Sequence, residues 1–213
     1  MHEMGPLTND RVGDTVGRWP LRVSYPGREE QMPGAEDLCQ GHRMKRNVEI
    51  KAKVTGLESV REIVEGLADS GPMELEQEDT FFVCPRGRLK LRRFGGCAEA
   101  ELIYYERPES SGPRESRYIV HPTADPEGLL EVLSAAFDVR GVVRKRRSVY
   151  VIGPTRVHLD EVEGLGKFVE LEVVLRPGQS ASDGATIAQE LMEKLGISPD
   201  QLIDRAYIDL LRK

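Results

Sequence analysis

Acidic and basic side chains alternate with apolar residues in short runs along this 213-residue chain, and the two signs are sorted onto different runs. Five of the eight residues from Arg86 to Arg93 are basic (Arg86, Arg88, Lys90, Arg92 and Arg93), and Arg144, Lys145, Arg146 and Arg147 form a second block. From Asp160 to Glu172 the sign reverses, with Asp160, Glu161, Glu163, Glu170 and Glu172 standing against Lys167 alone. Carboxylates are hard oxygen donors suited to Mg²⁺ or Mn²⁺. Clustered Lys and Arg match the spread negative charge of a polyphosphate. Phosphoryl or nucleotidyl transfer needs chiefly these things: positioning, metal and neutralised charge. No P-loop or dinucleotide fingerprint is present, since Arg93-Phe-Gly-Gly lacks the spacing. Sorted charge by itself also fits a set of solvated strand faces, so both readings stand at this point.

The elements that must position these groups begin near residue 46. Before that, residues 1–45 hold four of the 13 prolines and no sustained period, and read as a disordered extension, with Met44 as a candidate start. Residues 46–213 read as one domain. A net charge of −6 argues against general nucleic-acid binding, and no apolar run of ~18 residues exists for a membrane helix. Met1–Pro20 has no apolar core of a secretory signal, and three cysteines without metal-ligand spacing do not make a disulfide framework. These features point to a cytoplasmic protein.

Val48, Ile50, Ala52 and Val54 alternate with Asn47, Glu49, Lys51 and Lys53, the period of a strand. Thr55-Gly-Leu-Glu58 fits a capping box, and Leu57, Val60, Ile63, Val64 and Leu67 continue at helical spacing until Gly71-Pro72. Strand-like runs follow near 74–83, 86–93, 98–107 and 115–121. Asp125-Pro126 opens a helix to about Phe137. Further strands are expected near 141–151, 155–162 and 167–176, then helices near 181–195 and 199–211. About eight strands with short connections imply antiparallel pairing, and such a sheet can close into a barrel.

Alternation assigns each charged set to one face. Glu49, Lys51 and Lys53 lie together; so do Arg88, Lys90 and Arg92, Lys145 with Arg147, His158 with Asp160, and Glu170 with Glu172. The apolar faces form the core and the charged ones meet water, or helices cover an apolar exterior and the charges line a lumen. The apolar stripes of the helices favour the second, because they need a sheet face to bury against. Such a lumen is costly unless its charges are compensated, so it implies a ligand. His158 reads as structural, and Arg144 and Arg146, on the opposite face, as solvated or paired with helix acids.

Asn47-Val-Glu49-Ile-Lys51 resembles the Glu-x-Glu-x-Lys strand of the CYTH domain, shared by class IV adenylate cyclases and thiamine triphosphatase, within the triphosphate tunnel metalloenzymes. Gly87–Arg92, Val143–Arg147, the run from His158 to Glu172 with its Leu-Gly-x-Phe-x-Glu-x-Glu, and Tyr207-Ile-Asp-Leu-Leu agree in order. The resemblance implies an α+β fold, an eight-stranded antiparallel β-barrel tunnel with flanking helices. It implies Mg²⁺ or Mn²⁺ on Glu49, Asp160, Glu170 and Glu172, and a triphosphate on Lys51, Lys90, Arg92, Lys145 and Arg147. Lys53, Arg88 and Arg117 are added by face or place, and Glu49 and Lys51 are the catalytic candidates. Tripolyphosphate, thiamine triphosphate and ATP are the candidate substrates.

Two departures bear on the reaction. The first Glu of the signature is Asn47, and the His-Phe pair that class IV cyclases carry ahead of it is replaced by Gly41 and His42-Arg43. The second departure points to hydrolysis rather than cyclisation. The first keeps open a binding module without activity.

Because the first periodic run begins at Arg46, deleting residues 1–43 should leave the thermal midpoint within roughly 2–4 °C, the equivalent of ~1 kcal/mol for a domain of this size. A larger loss in a melting experiment would make that segment part of the fold.

Overall fold

The computed structural model describes residues 44–110 and 112–211. Eight strands close into an antiparallel barrel: β1 (Lys45–Val54), β2 (Ser70–Phe82), β3 (Arg88–Phe94), β4 (Ala100–Glu106), β5 (Arg114–Thr123), β6 (Val139–Ile152), β7 (Thr155–Val162) and β8 (Gly166–Val174). Around the barrel they run β1-β5-β4-β3-β2-β6-β7-β8. The helices are α1 (Glu58–Leu67), α2 (Pro126–Ala136), α3 (Ala181–Lys194) and α4 (Tyr207–Leu211). The eight-stranded barrel expected from the alternation is therefore present. The extension expected over residues 1–45 lies almost wholly outside the described residues.

Helices decide which face is the core. Val48, Ile50, Ala52, Val157, Leu159, Val169 and Leu171 point outward and are buried with Val60 and Val64 of α1 and Ala188 and Leu191 of α3. On the other side, α2 lays Leu133 against Phe82, Leu91 and Ala100. With its apolar side covered from without, each strand must turn its charged side inward. Gly184 is what lets α3 approach β1: a Cβ there would stand 2.8 Å from Val48 Cγ2 and 2.7 Å from Leu175 Cδ2.

At the start of α2 Asp125 accepts from Gly128 N with Pro126 behind it, as expected, and α3 is opened by a reciprocal capping box of Ser180 with Asp183. Three others differ. Thr55 is not the cap: α1 starts at Glu58 and its cap position is Leu57, whose side chain offers no capping group. Gly71-Pro72 ends no helix, since α1 stops at Leu67 and the dipeptide lies at an irregularity early in β2. The helix expected over 199–211 is broken into a 3₁₀ turn at Pro199–Gln201, an extended stretch and the short α4.

The barrel explains that break. β5 pairs with β1 only from Lys45 to Glu49, whereas β8 pairs with it on to Val54. The vacated edge is taken by the extended stretch, which bridges Leu202 to Ala52 and donates Ile203 N–H to Lys51 O at 2.9 Å. Completing the ladder outweighs helix propensity here, because unpaired backbone in a closed sheet is costly. The chain then turns α4 across one end of the barrel, where Tyr207 and Ile208 pack on Phe81, Val143 and Phe168. Among the described residues, no helix is long and apolar enough to cross a membrane.

Two glycines in helices test the packing. Gly184→Ala should lower stability by about 1–3 kcal/mol, because stiff Val48 cannot yield. Gly66→Ala, which meets nothing within 4 Å, should raise stability by up to about 1 kcal/mol. Chemical denaturation of both variants gives opposite shifts if the α3–β1 contact is this close.

Candidate active site

The inward faces enclose a cavity of about 260 Å³. Its basic wall comes from β2, β3 and β6. Asp79 is 2% exposed and takes Lys90 Nζ at 2.9 Å, Arg92 Nε at 2.7 Å and Lys145 Nζ at 3.4 Å. One carboxylate thus serves three cations. Burial pushes Asp79 up, but Arg92, Lys145 and Lys90 outweigh it and hold the carboxyl well below its usual range. The lysines respond in the opposite direction. Desolvation and the charge of Arg147 lower Lys145 to about 7, against Asp79. Desolvation and Arg92 lower Lys90 to about 8.

A second group is built on Arg147. Its Nε and Nη2 donate to the two oxygens of Asp160, each at 2.6 Å, and Nη2 also reaches Glu170 Oε2 at 2.7 Å. Tyr207 OH donates to Asp160 Oδ2 at 2.8 Å. Lys51 Nζ lies 3.1 Å from Glu170 Oε1 and 3.9 Å from the centre of the Tyr207 ring. Desolvation disfavours the charge on Arg147, yet Asp160 and Glu170 raise it well above the ordinary value.

His158 of β7 lies opposite Glu170 of β8 in the strand register. Its Nδ1 is 3.7 Å from Glu170 Oε2 and 3.9 Å from Glu172 Oε1, too far for a hydrogen bond, and is buried with no partner among the described residues. Ligand atoms of the three residues lie within 4.8 Å of one another. Burial and the Arg147 charge lower the His158 pKa, leaving a neutral imidazole with a lone pair to offer. Glu49 sits further along the wall. Arg107 and Arg114 both hold its carboxylate, the latter at 3.2 Å.

A closed eight-stranded barrel with cations on one wall and carboxylates on another is matched by one family description: the CYTH domain, over residues 45–207. The chain belongs to the CYTH family. CYTH proteins act on triphosphates, as cyclases or as triphosphatases, and depend on metal. The Aeromonas hydrophila adenylate cyclase CyaB is 29% identical over an alignment covering 49% of this chain and 68% of that protein. A Methanocaldococcus jannaschii protein named for adenylate cyclase is 32% identical over 39% of its length. A Pyrococcus horikoshii structure, 28% identical, superimposes with a TM-score of 0.70 over 77% of this chain and 98% of its own. A Hippeastrum protein, named for adenylyl cyclase and with a dominant triphosphatase activity, shares the fold at 17% identity and a TM-score of 0.58, over 78% of this chain and 95% of its own.

Among CYTH positions inferred from sequence, the barrel brings Glu49, Lys51, Lys90, Arg92, Lys145, Arg147, Glu170 and Glu172 onto the cavity wall. Others lie elsewhere. Arg117 is on the outer face, 59% exposed and paired with Glu115, because it falls one residue out of phase with Ser116 and Tyr118. Lys53 continues the face of Lys51 but is exposed at the far end of β1, beside Phe168. Arg88 is tied to Asp209 of α4 and to Glu109 outside the cavity lining. Asp160 is fully buried and accepts from Arg147 and Tyr207.

Sequence reasoning missed four participants. His158 reads as structural from its spacing, and only the β7–β8 register places it between two carboxylates. Asp79 ends an acidic run with Glu74, Glu76 and Glu78 but falls on the opposite face of the strand from them, and Arg107 stands in a run of mixed sign. Tyr207 belongs to the matching C-terminal run, but nothing in that run tells that its ring enters the tunnel. Arg144 and Arg146 face outward as expected, paired with the strand acids Glu78 and Glu161 rather than with helix acids.

The donor set at His158, Glu170 and Glu172 fits a divalent cation, as the orphaned buried Nδ1 between two carboxylates shows.

An anion held by this wall would meet protonated lysines, so affinity for tripolyphosphate in EDTA should fall as pH rises through 7 and 8, where Lys145 and Lys90 lose their protons. In Lys145→Arg the cation persists, and the fall should begin nearer pH 8. The ligand's own deprotonation is common to both proteins. Identical pH profiles by calorimetry would remove Lys145 from the site.

Proposed function

We propose that this chain is a metal-dependent triphosphatase that cleaves the terminal phosphoanhydride of an inorganic or organic triphosphate. The observation that carries the reading is the excess of cations on the cavity wall, where eight Lys and Arg side chains stand against five Asp and Glu. Lys90, Arg92 and Lys145 converge on Asp79, and all four groups are largely buried. A buried cluster with surplus positive charge is costly without an anion, and a chain of phosphates supplies several negative charges along one line.

In this reading Lys90, Arg92 and Lys145 hold the phosphate chain, and Arg147 turns its planar guanidinium toward the reacting end. Asp160 and Tyr207 act through Arg147: they fix its plane, and they touch no phosphate. Lys51, above the Tyr207 ring, is the cation next to the carboxylate group, and Glu49 orients Arg107 and Arg114. Mg²⁺ or Mn²⁺, held by Glu170, Glu172 and His158, supplies charge neutralisation and orientation at the phosphate oxygens when bound. Water forms the new bond to the terminal phosphorus while the bridging oxygen leaves with diphosphate. Positive groups already in place stabilise the charge that spreads over the phosphoryl oxygens.

The names of the Aeromonas and Methanocaldococcus relatives favour a second reading, attack of a ribose 3′-hydroxyl on the α-phosphorus with release of diphosphate. Tripolyphosphate has no hydroxyl and serves only the hydrolase. The expected outcome is orthophosphate from tripolyphosphate with Mg²⁺ or Mn²⁺. Cyclic AMP from ATP without orthophosphate from tripolyphosphate selects the cyclase, and tight binding with neither product selects a binding module. Glu170→Gln and Glu172→Gln should each weaken Mn²⁺ binding more than about tenfold in calorimetry while the fold persists. Unchanged Mn²⁺ affinity in both would remove these two as ligands.

A further inference from the structure

The group around Asp79 holds one cation less firmly than the others. Arg92 donates to Asp79 from Nε at 2.7 Å and from Nη2 at 2.9 Å, and Lys90 Nζ donates at 2.9 Å. Lys145 Nζ reaches Oδ2 only at 3.4 Å, and that oxygen already accepts from both of the others. The Lys145 side chain is 3% exposed, so water makes up little of the shortfall. Arg147 on its own strand and Arg92 oppose its charge, while Asp79 and Asp160 favour it. Burial and Arg147 outweigh the rest and bring the amine down to about 7, so near neutrality much of it is unprotonated. Lys90 is better kept as an ammonium. It has the shorter bond to Asp79 and two rings, Phe81 at 5.5 Å and Tyr105 at 5.8 Å, where Lys145 has only Tyr207 at 5.6 Å.

An unprotonated amine beside surplus cations suits one electrophile in particular. The surplus favours an added negative charge, and burial admits only a small reagent that carries no charge of its own. Carbon dioxide meets both conditions. The Nζ lone pair forms a bond to its carbon, one C=O electron pair moves onto oxygen, and the nitrogen sheds a proton to water. The product is a carbamate, with a planar carboxylate where the ammonium stood. Two anions, Asp79 and the carbamate, then face Lys90 and Arg92, and the buried group approaches neutrality. The planar guanidinium of Arg92 suits such a carboxylate.

We propose that Lys145 is a site of reversible carbamate formation with carbon dioxide, the new carboxylate lying against Lys90 and Arg92. A carbamate replaces a cation of the wall with an anion, so it and a polyphosphate exclude one another. The exclusion rests on the triphosphate reading above; the carbamate rests on the cation group alone.

The test traps the carbamate on the full-length chain, in bicarbonate at neutral pH with EDTA, using triethyloxonium and locating the ethyl ester by mass spectrometry. Lys145 should carry the ester at about tenfold the level of any exposed lysine, whose amine is almost wholly protonated there. In ¹³C-bicarbonate, one carbamate resonance should vanish in Lys145→Arg, while that of the α-amino group, the other weakly basic amine, should stay. No ester on Lys145, or ester on Lys90 in its place, overturns the assignment. Mapping on the wild type decides this even if Lys145→Arg fails to fold. Tripolyphosphate should then cut the Lys145 ester about fivefold or more, and carbon dioxide at fixed pH and ionic strength should weaken tripolyphosphate binding about twofold or more. A carbamate untouched by bound tripolyphosphate overturns the exclusion. A wild type that binds no tripolyphosphate defeats the triphosphate reading, and the trapping result still decides the carbamate.

Discussion

Closing an eight-stranded sheet gives this protein an interior that half of every strand's side chains must share. Helices α1, α2 and α3 bury the outward apolar side, so the charged side has nowhere to go but the lumen. Desolvation then acts on every charge there, and the arrangement is tolerable only where opposite signs meet at hydrogen-bond distance. The interior is a set of shared carboxylates: Asp79 for three cations, Glu170 for Lys51 and Arg147, Asp160 for Arg147 and Tyr207. Where sharing falls short of neutrality, the chemistry of a ligand is written into the wall. Cations exceed acids around Asp79, and an imidazole lone pair goes unused between two acids at His158.

The C-terminal segment belongs to the same economy of partners. Its extended part supplies the backbone pairing that β5 fails to give β1, and this delivers α4 to the end of the barrel. There Tyr207 stacks near Phe168, underlies Lys51 and caps Asp160 with its hydroxyl. Asp209 gathers Arg88 and Arg140 around the same helix. Gly141, with a positive φ, leaves room for Ile208, where a Cβ would come within 2.8 Å of its Cδ1. A five-residue helix has little stability of its own. It is held by contacts to the walls it closes, so the closed end and the orientation of Arg147 depend on one another.

The first departure from the CYTH signature takes on physical meaning in this setting. Asn47 faces the cavity with its Oδ1 buried and unpartnered among the described residues, while the next carboxylate along β1, Glu49, is neutralised by Arg107 and Arg114. The two carboxylates of β8 beside His158 are paired as well, Glu170 with Arg147 and Lys51 and Glu172 with Arg156. Gly41 and His42-Arg43 lie outside the described residues.

What the sequence determined by itself is the part carried by local period. Alternation in Val48–Val54, Leu89–Arg92 and Val169–Val173 told which residues share a face, and the sorted charge blocks told that one face is acidic and another basic. Local rules also placed α2 and α3, whose caps act within four residues. Tertiary structure alone decided which strands become neighbours, because hydrogen-bonding register depends on partners far apart in the chain. That register sets Arg147 between Asp160 and Glu170, and it sets His158 beside Glu170 and Glu172. It put Arg117 on the outside, since a one-residue difference in phase turns a side chain through the sheet. It also broke the expected 199–211 helix, because the open edge of β1 competed for the same backbone groups. Faces follow from spacing along the chain; sites follow from spacing across it, which only the closed barrel supplies.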